Sequence, residues 1–335
     1  PWDGDVLELL SSLPVQEGGR IKPLSTLAGF QLLRIRGVRK AYTPKGEKLS
    51  PIAWLADCLF FPEAASTYEV FLIQDSDVLT AVGMSDAAKK KRDRYAYNEL
   101  KTGKAGLFEK ARSLSRKDQK QLTPVEREIM NLARNVHDFE ALIGHLAFTR
   151  QAIPVNTSPG LGKIYDNASA ISFSTVLTKA NLVAFLFQQI AKAPNVSQAA
   201  KRKEQEAIQG LARQIDVLGR PTRSLALFPP SGDTADKAWL SPYDMANHSF
   251  TTREPVEEQV ALLAHFEKLE AKKGDAAAFK NELTALHGGL TKLALARNEY
   301  GTIPLEVSFY NFDWFYKALL LFVFAFLFLA LSWLV

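Results

Sequence analysis

Thr123–Leu146 reads TPVEREIMNLARNVHDFEALIGHL. Its first four residues form a capping box with proline at the first helical position. The threonine hydroxyl and the glutamate carboxylate can each satisfy a backbone N–H that a helix start leaves unpaired, and proline has none to lose there. Behind the box, Ile129, Leu132, Val136, Phe139, Ile143 and Leu146 recur at three-four spacing, the pattern of a helix that lays one face against another. A mainly α-helical fold with a few short strands is expected.

Outward from this helix the signals repeat. Upstream, Tyr68–Ile73 is the best strand candidate, and Pro51–Phe60 reads as an amphipathic helix carrying Trp54 and Cys58. Leu27, Phe30, Leu32, Leu33 and Ile35 predict a helix capped by Ser25 or Thr26 and stopped at Gly37. Before it, Leu13–Pro23 reads as an extended segment broken by a Gly18-Gly19 turn, after a short helix at Asp5–Ser11. Downstream, a Pro, Gly, Ser and Asn-rich loop (154–167) precedes a helix from about Ser174 to Ala193 and another from about Val196 to Leu218. Prolines in Phe228-Pro229-Pro230 and Trp239-Leu240-Ser241-Pro242 interrupt helicity. Two further helices, about Pro255–Lys272 and Asp275–Asn298, read as an antiparallel hairpin with Phe266, Leu269, Phe279, Leu283, Leu286 and Leu290 in its seam. No repeat of fixed period is present.

The chain closes on an apolar run from Ala318 to Val335, through Phe322, Leu327 and Trp333, behind a collar of Trp314, Tyr316 and Lys317. A spanning helix needs roughly 20 mostly apolar residues with aromatics at headgroup level, so one C-terminal transmembrane helix is expected. The competing reading is a buried core helix, against which stands the lack of a polar stripe. Ser332, the one strongly polar residue, can bond back to its own helix. Three segments result: 1–150 and 151–304 as the two parts of one helical domain, and 305–335 as the membrane-proximal segment and anchor. Opening on Pro1 points to a removed leader or a longer gene product.

Composition narrows the function. A single cysteine, Cys58, excludes an internal disulfide framework and cannot alone make a zinc or iron–sulfur site. The net charge of +5 is concentrated between Lys89-Lys90-Lys91-Arg92 and Lys120, which fits a solvated helical face or a patch meeting anionic lipid or an acidic partner better than a nucleic-acid surface. Five histidines, His137, His145, His248, His265 and His287, show no metal-ligand spacing, although a single one could serve as a haem axial ligand. No nucleotide-binding, hydrolase or covalent c-haem signature occurs. Gly18-Gly19-Arg20 with Lys22 can present backbone donors and cations to an anionic group, or simply make a turn with solvated charges.

Leu13-Pro14-Val15-Gln16-Glu17-Gly18-Gly19-Arg20-Ile21-Lys22-Pro23-Leu24-Ser25-Thr26, followed by Pro51-Ile52-Ala53-Trp54-Leu55, resembles the extracytoplasmic domain of CcsA-type proteins of system II cytochrome c biogenesis. Arg94-Tyr95-Ala96-Tyr97-Asn98-Glu99-Leu100, the Phe228-Pro229-Pro230 and Trp239-Leu240-Ser241-Pro242 pair, and Tyr310-Asn311-Phe312 resemble later stretches of that domain. The resemblance implies a bacterial inner-membrane protein with its bulk in the periplasm, an accessory module of the machinery that delivers haem for attachment to apocytochrome c. The tryptophan-rich, multi-span ligase core of the family has no counterpart here, so no catalytic, metal or haem-ligand residue is assigned, and haem is reached through partners. Arg20, Lys22, Arg94 and Tyr97 are the expected partner or anion contacts; apocytochrome c, a haem ligase and other integral membrane subunits are the expected partners. The alternative is a non-catalytic, single-pass subunit scaffolding a larger respiratory or photosynthetic complex.

Overall fold

The computed structural model describes residues 2–84, 93–193, 196–232, 238–252, 256–312 and 314–333. In chain order the first part holds α1 (Gly4–Ser11), β1 (Pro14–Glu17), β2 (Arg20–Pro23), α2 (Leu24–Arg36), β3 (Ala41–Tyr42), β4 (Lys48–Leu49) and α3 (Pro51–Phe60). α4 (Pro62–Ala65), β5 (Glu69–Leu72), α5 (Ser76–Ala81), β6 (Arg94–Ala96), α6 (Tyr97–Leu100), α7 (Lys104–Leu114) and α8 (Pro124–Gly144) follow. The remainder comprises α9 (Ala147–Arg150), β7 (Ile153–Pro154), α10 (Pro159–Ile164), β8 (Ala170–Ile171), α11 (Phe173–Thr178), α12 (Ala180–Lys192) and α13 (Gln198–Gly219). It ends with α14 (Pro242–Asn247), α15 (Glu257–Lys272), α16 (Ala276–Ala296), α17 (Ile303–Asn311) and α18 (Trp314–Ser332). The mainly α expectation holds, and the strands form antiparallel pairs: β1 with β2, β3 with β4, β5 with β6 and β7 with β8.

α8 is the spine. Its capping box forms: the Glu126 N–H donates to Thr123 Oγ1 at 3.2 Å and the Thr123 N–H to Glu126 Oε2 at 2.9 Å. The periodic face is buried except for half-buried Ile143, and fully buried Phe139 meets the rings of Trp54, Phe71 and Tyr97 at centroid distances of 6.5, 5.3 and 5.3 Å. One residue of α8 thereby ties together α3, β5 and α6. The α15–α16 hairpin also forms, with all six expected seam residues buried and Asp275 accepting from the Ala278 N–H at 3.0 Å to cap α16. α1 packs on α16, so the first helix and the α15–α16 hairpin share one core that runs from Val6 to Leu290.

Local departures have local causes. α2 begins at Leu24 without a side-chain cap, because Ser25 Oγ instead donates to the Ser11 carbonyl at 3.1 Å and Thr26 is buried. Gly37 does end it, in the left-handed conformation at φ 78°. The helix expected over Ser174–Ala193 is broken at Lys179: Ser172 caps α11, Thr178 Oγ1 donates back to the Thr175 carbonyl at 2.8 Å, and Lys179 Nζ is drawn to the Ile164 carbonyl at 2.7 Å. Such back-bonding offers the chain an alternative to a continuous helix.

The C-terminal expectation is corrected. Among the described residues no helix is long and apolar enough to cross a membrane. α18 has 19 residues, which rise about 28 Å at ~1.5 Å per residue. Its first turn carries Trp314, Tyr316 and Lys317, and the apolar part from Ala318 onward rises only about 22 Å, short of the ~30 Å hydrocarbon thickness. The transmembrane helix, the single-pass membrane partnership and the inner-membrane location read from that run all fall with it. What the structure does carry is an apolar helix whose described residues beyond Ala318 are exposed, with Phe322 at 74% and Leu327 at 49%, followed by Trp333 at 87%. Ser332 Oγ donates to the Leu329 carbonyl at 2.7 Å.

Candidate functional site at the β1–β2 hairpin

The hairpin turns on Gly18 (φ 59°) and Gly19 (φ 78°), with Glu17 opposite Arg20. Two successive positive φ angles are what a two-residue hairpin turn requires and what side chains resist, which explains the glycine pair. Of the two cations singled out here, Lys22 is inward and structural: its side chain is 13% exposed and Nζ donates to Glu17 Oε2 at 2.8 Å. Arg20 is outward, with its side chain 63% exposed, and it pairs with Glu306 on α17. The hairpin and α17 are thus clamped together, with Ile303 of α17 fully buried beneath.

Behind the hairpin, stretches far apart in sequence converge. The Gln16 N–H donates to the Ala226 carbonyl at 2.9 Å, and the Trp239 N–H donates to Gln16 Oε1 at 2.8 Å. Phe228 and Leu240 exchange backbone hydrogen bonds at 3.1 and 2.8 Å. Buried Gln259 donates to the Pro229 carbonyl at 2.8 Å. Trp239 Nε1 donates to Glu299 Oε2 at 2.9 Å, and Arg297 grips the same carboxylate with Nε at 2.7 Å and Nη2 at 3.2 Å. The result is a largely desolvated node in which the Trp239–Pro242 stretch is bonded both to Leu13–Thr26 and to Phe228–Pro230.

On the solvent side, Arg39 stacks between Phe30 of α2 and Tyr310 of α17, its guanidinium carbon 4.5 and 4.9 Å from the two ring centroids. Phe30 and Leu33 of α2, and Leu305 (72% exposed), Phe309 and Tyr310 of α17, all face solvent around this stack. Phe312 lies under Lys317 Nζ at 4.4 Å and stacks with Trp314 at 5.7 Å, carrying the aromatic surface on to the collar of α18, where Trp314 and Tyr316 are exposed. The face therefore mixes arginine and aromatic side chains with apolar ones, a composition enriched in protein interfaces.

Arg94 and Tyr97 belong elsewhere. Tyr97 is buried against Phe71 and Phe139, its hydroxyl bonded to Glu140, and burial with that bond pushes its pKa up. Arg94 Nη1 donates to Asp93 at 3.0 Å beside Arg36, whose own pKa is lowered by burial first and by Arg94 second. Neither joins Arg20 at the hairpin face through any described contact. Lys89-Lys90-Lys91-Arg92 lie outside the described residues, while Lys104 pairs with Glu140 and Lys117 with Glu126.

Three of the five histidines are engaged individually. Burial pushes His145 down to about 3, and its Nδ1 lies 3.3 Å from Ser224 Oγ. His265 bonds Glu282, and His287 Nε2 lies 2.9 Å from Ser12 Oγ. Among the described residues no group of three or more His, Cys, Asp or Glu is placed to hold a metal ion. Cys58 is buried and its thiol pKa is driven up by desolvation.

No family model, curated protein or solved structure matches the chain. Gln259, Glu299 and Arg39 carried no sequence signal of their own. Gln16 and Trp239 lay within quoted stretches, but nothing in their spacing indicates that they meet.

Proposed function

We propose that this chain is a protein-docking module of the system II cytochrome c biogenesis type, which contributes to haem delivery and ligation by contact rather than by its own catalysis. The observation that carries this reading is the convergence at the hairpin. Stretches on which the resemblance rests, separated by more than half the chain, are bonded into one node, and that node fixes the exposed arginine and aromatic face of α2 and α17. A rigid node under a solvent-facing hydrophobic patch is how a binding surface is preorganised. In this reading haem enters through the partner.

A second reading has its own observation. The described side chains of α18 beyond Ala318 are exposed and almost all apolar, as expected of a subunit that buries this helix in a larger respiratory or photosynthetic assembly.

Co-expression of the tagged chain with a tryptophan-rich haem ligase and an apocytochrome c, followed by purification and recording of the Soret band, separates the two. Stoichiometric recovery of ligase or apocytochrome, lost in Leu305→Asp while helicity is kept, is the expected result. Recovery of a respiratory or photosynthetic core instead selects the scaffold. Binding to neither partner, with cytochrome c maturation unchanged when the gene is deleted, overturns the biogenesis reading.

A further inference from the structure

Away from the hairpin face, α1, the β3–β4 turn, α3 and the start of α16 enclose a cavity of about 770 Å³, within the size range of small-molecule sites. Its apolar lining comes from Val6, Leu7, Leu49 and Ala53, with the rings of Trp2, Phe61 and Phe279. Trp2 is locked in place by ring contacts to Phe60, Phe61 and Phe279 at 5.8, 5.6 and 5.5 Å. Into this lining projects one half-buried carboxyl group, Asp57. Its Oδ1 accepts from Trp2 Nε1 and its Oδ2 from Tyr68 Oη, both at 2.8 Å. Both of these donors are neutral groups.

The other charged groups on the lining are Asp3, Glu47, Lys48 and Lys273. Asp3 caps α1 by accepting from the Asp5 N–H at 2.8 Å, and Lys273 is paired with Glu270 while donating to the Phe60 carbonyl at 3.3 Å. The Lys273 Nζ also sits 5.4 Å from the Phe61 ring centroid. An ammonium group is therefore already accommodated against an aromatic wall of this cavity, the geometry in which a ring quadrupole attracts a cation. Burial raises the Asp57 pKa, opposed by its hydrogen bonds from Tyr68 and Trp2, and a cation arriving beside it would favour the ionised carboxylate.

We propose that this cavity binds a small organic ammonium ion, its nitrogen against Asp57 and its hydrocarbon against Trp2, Phe61 and Leu49. An aromatic and aliphatic lining beside the Asp57 carboxyl group favours an amine with an apolar body, whereas a bare metal ion would require several oxygen ligands converging on one point, and no such group occurs among the described residues.

The test titrates the full chain with n-butylammonium, choline, n-butanol and butyrate, following the Trp2 indole N–H resonance, assigned with Trp2→Phe, and the heat of binding. The two ammonium ions are expected to shift that resonance and bind at least tenfold more tightly than butanol or butyrate. Asp57→Asn should weaken them by about tenfold, bringing them level with butanol. Equal or tighter binding of butyrate or butanol to the wild-type chain, or no binding by any probe, overturns the proposal without recourse to a variant. Undiminished ammonium binding in a folded Asp57→Asn protein overturns it as well.

Discussion

Glu299→Ala should be the most costly single change at the hairpin node. The carboxylate accepts from Arg297 twice and from the Trp239 indole, and the Arg297 and Glu299 side chains are 3% and 19% exposed. Removing one partner of a buried ion pair costs roughly 3–5 kcal/mol, and stranding a buried donor roughly 1–3 kcal/mol. These do not add, because Arg297 keeps its 3.0 Å bond to the Gly232 carbonyl and water can enter where the partly exposed carboxylate stood. About 3 kcal/mol in total is expected, a large share of the ~5–15 kcal/mol that holds a domain folded. In urea unfolding with an m-value of about 3 kcal/mol/M, the midpoint should fall by about 1 M. Glu299→Gln keeps an acceptor for the indole and should lose roughly half as much. A midpoint within about 0.3 M of wild type for the alanine variant, ~1 kcal/mol at that slope, would refute the claim that this node is desolvated and mutually dependent. Equal losses in Ala and Gln would instead place the whole effect on the charge.

The remaining expectations are simpler. Gly19→Ala, forced to φ 78°, should cost about 1–2 kcal/mol, measured by the same urea midpoint. Thr123→Ala removes one half of the α8 capping box and should cost about 1 kcal/mol, readable as a lowered melting temperature. His145, held neutral by burial with its pKa at about 3, binds its proton more readily in the unfolded chain. Its contribution is therefore fully present above pH ~6.5 and is lost as pH falls toward 3, at up to about 1.4 kcal/mol per pH unit. His145→Gln should flatten that part of the stability profile in acid titration followed by circular dichroism. Phe139→Ala, which empties the meeting point of Trp54, Phe71 and Tyr97, should cost about 3–5 kcal/mol, checked by denaturant unfolding.

Helices were legible where the signals were local. The Thr123–Glu126 box, the Gly37 stop, the Pro51 start and the seam of α15 and α16 depend on residues three or four apart, and all formed. Misreadings arose where a local pattern met a competing partner. Ser25 had a carbonyl on α1 to bond instead of capping α2, and Lys179 had one on α10, which split a helix that periodicity made continuous. Tyr97 illustrates the same limit for function: an aromatic in a charged stretch reads as a contact residue, yet α8 supplies Phe139 and Glu140 to bury it.

Sequence by itself determined the helical class, the main starts and stops, and the glycine turn of the hairpin, because backbone sterics and end-group hydrogen bonding act within a few residues. Only the tertiary structure decided that Gln16, Trp239 and Glu299 share one node, that Lys22 faces inward while Arg20 reaches α17, and that Asp57 sits in an aromatic cavity. Those facts depend on which distant surfaces exclude water from each other, and burial of that kind leaves no periodic trace along the chain.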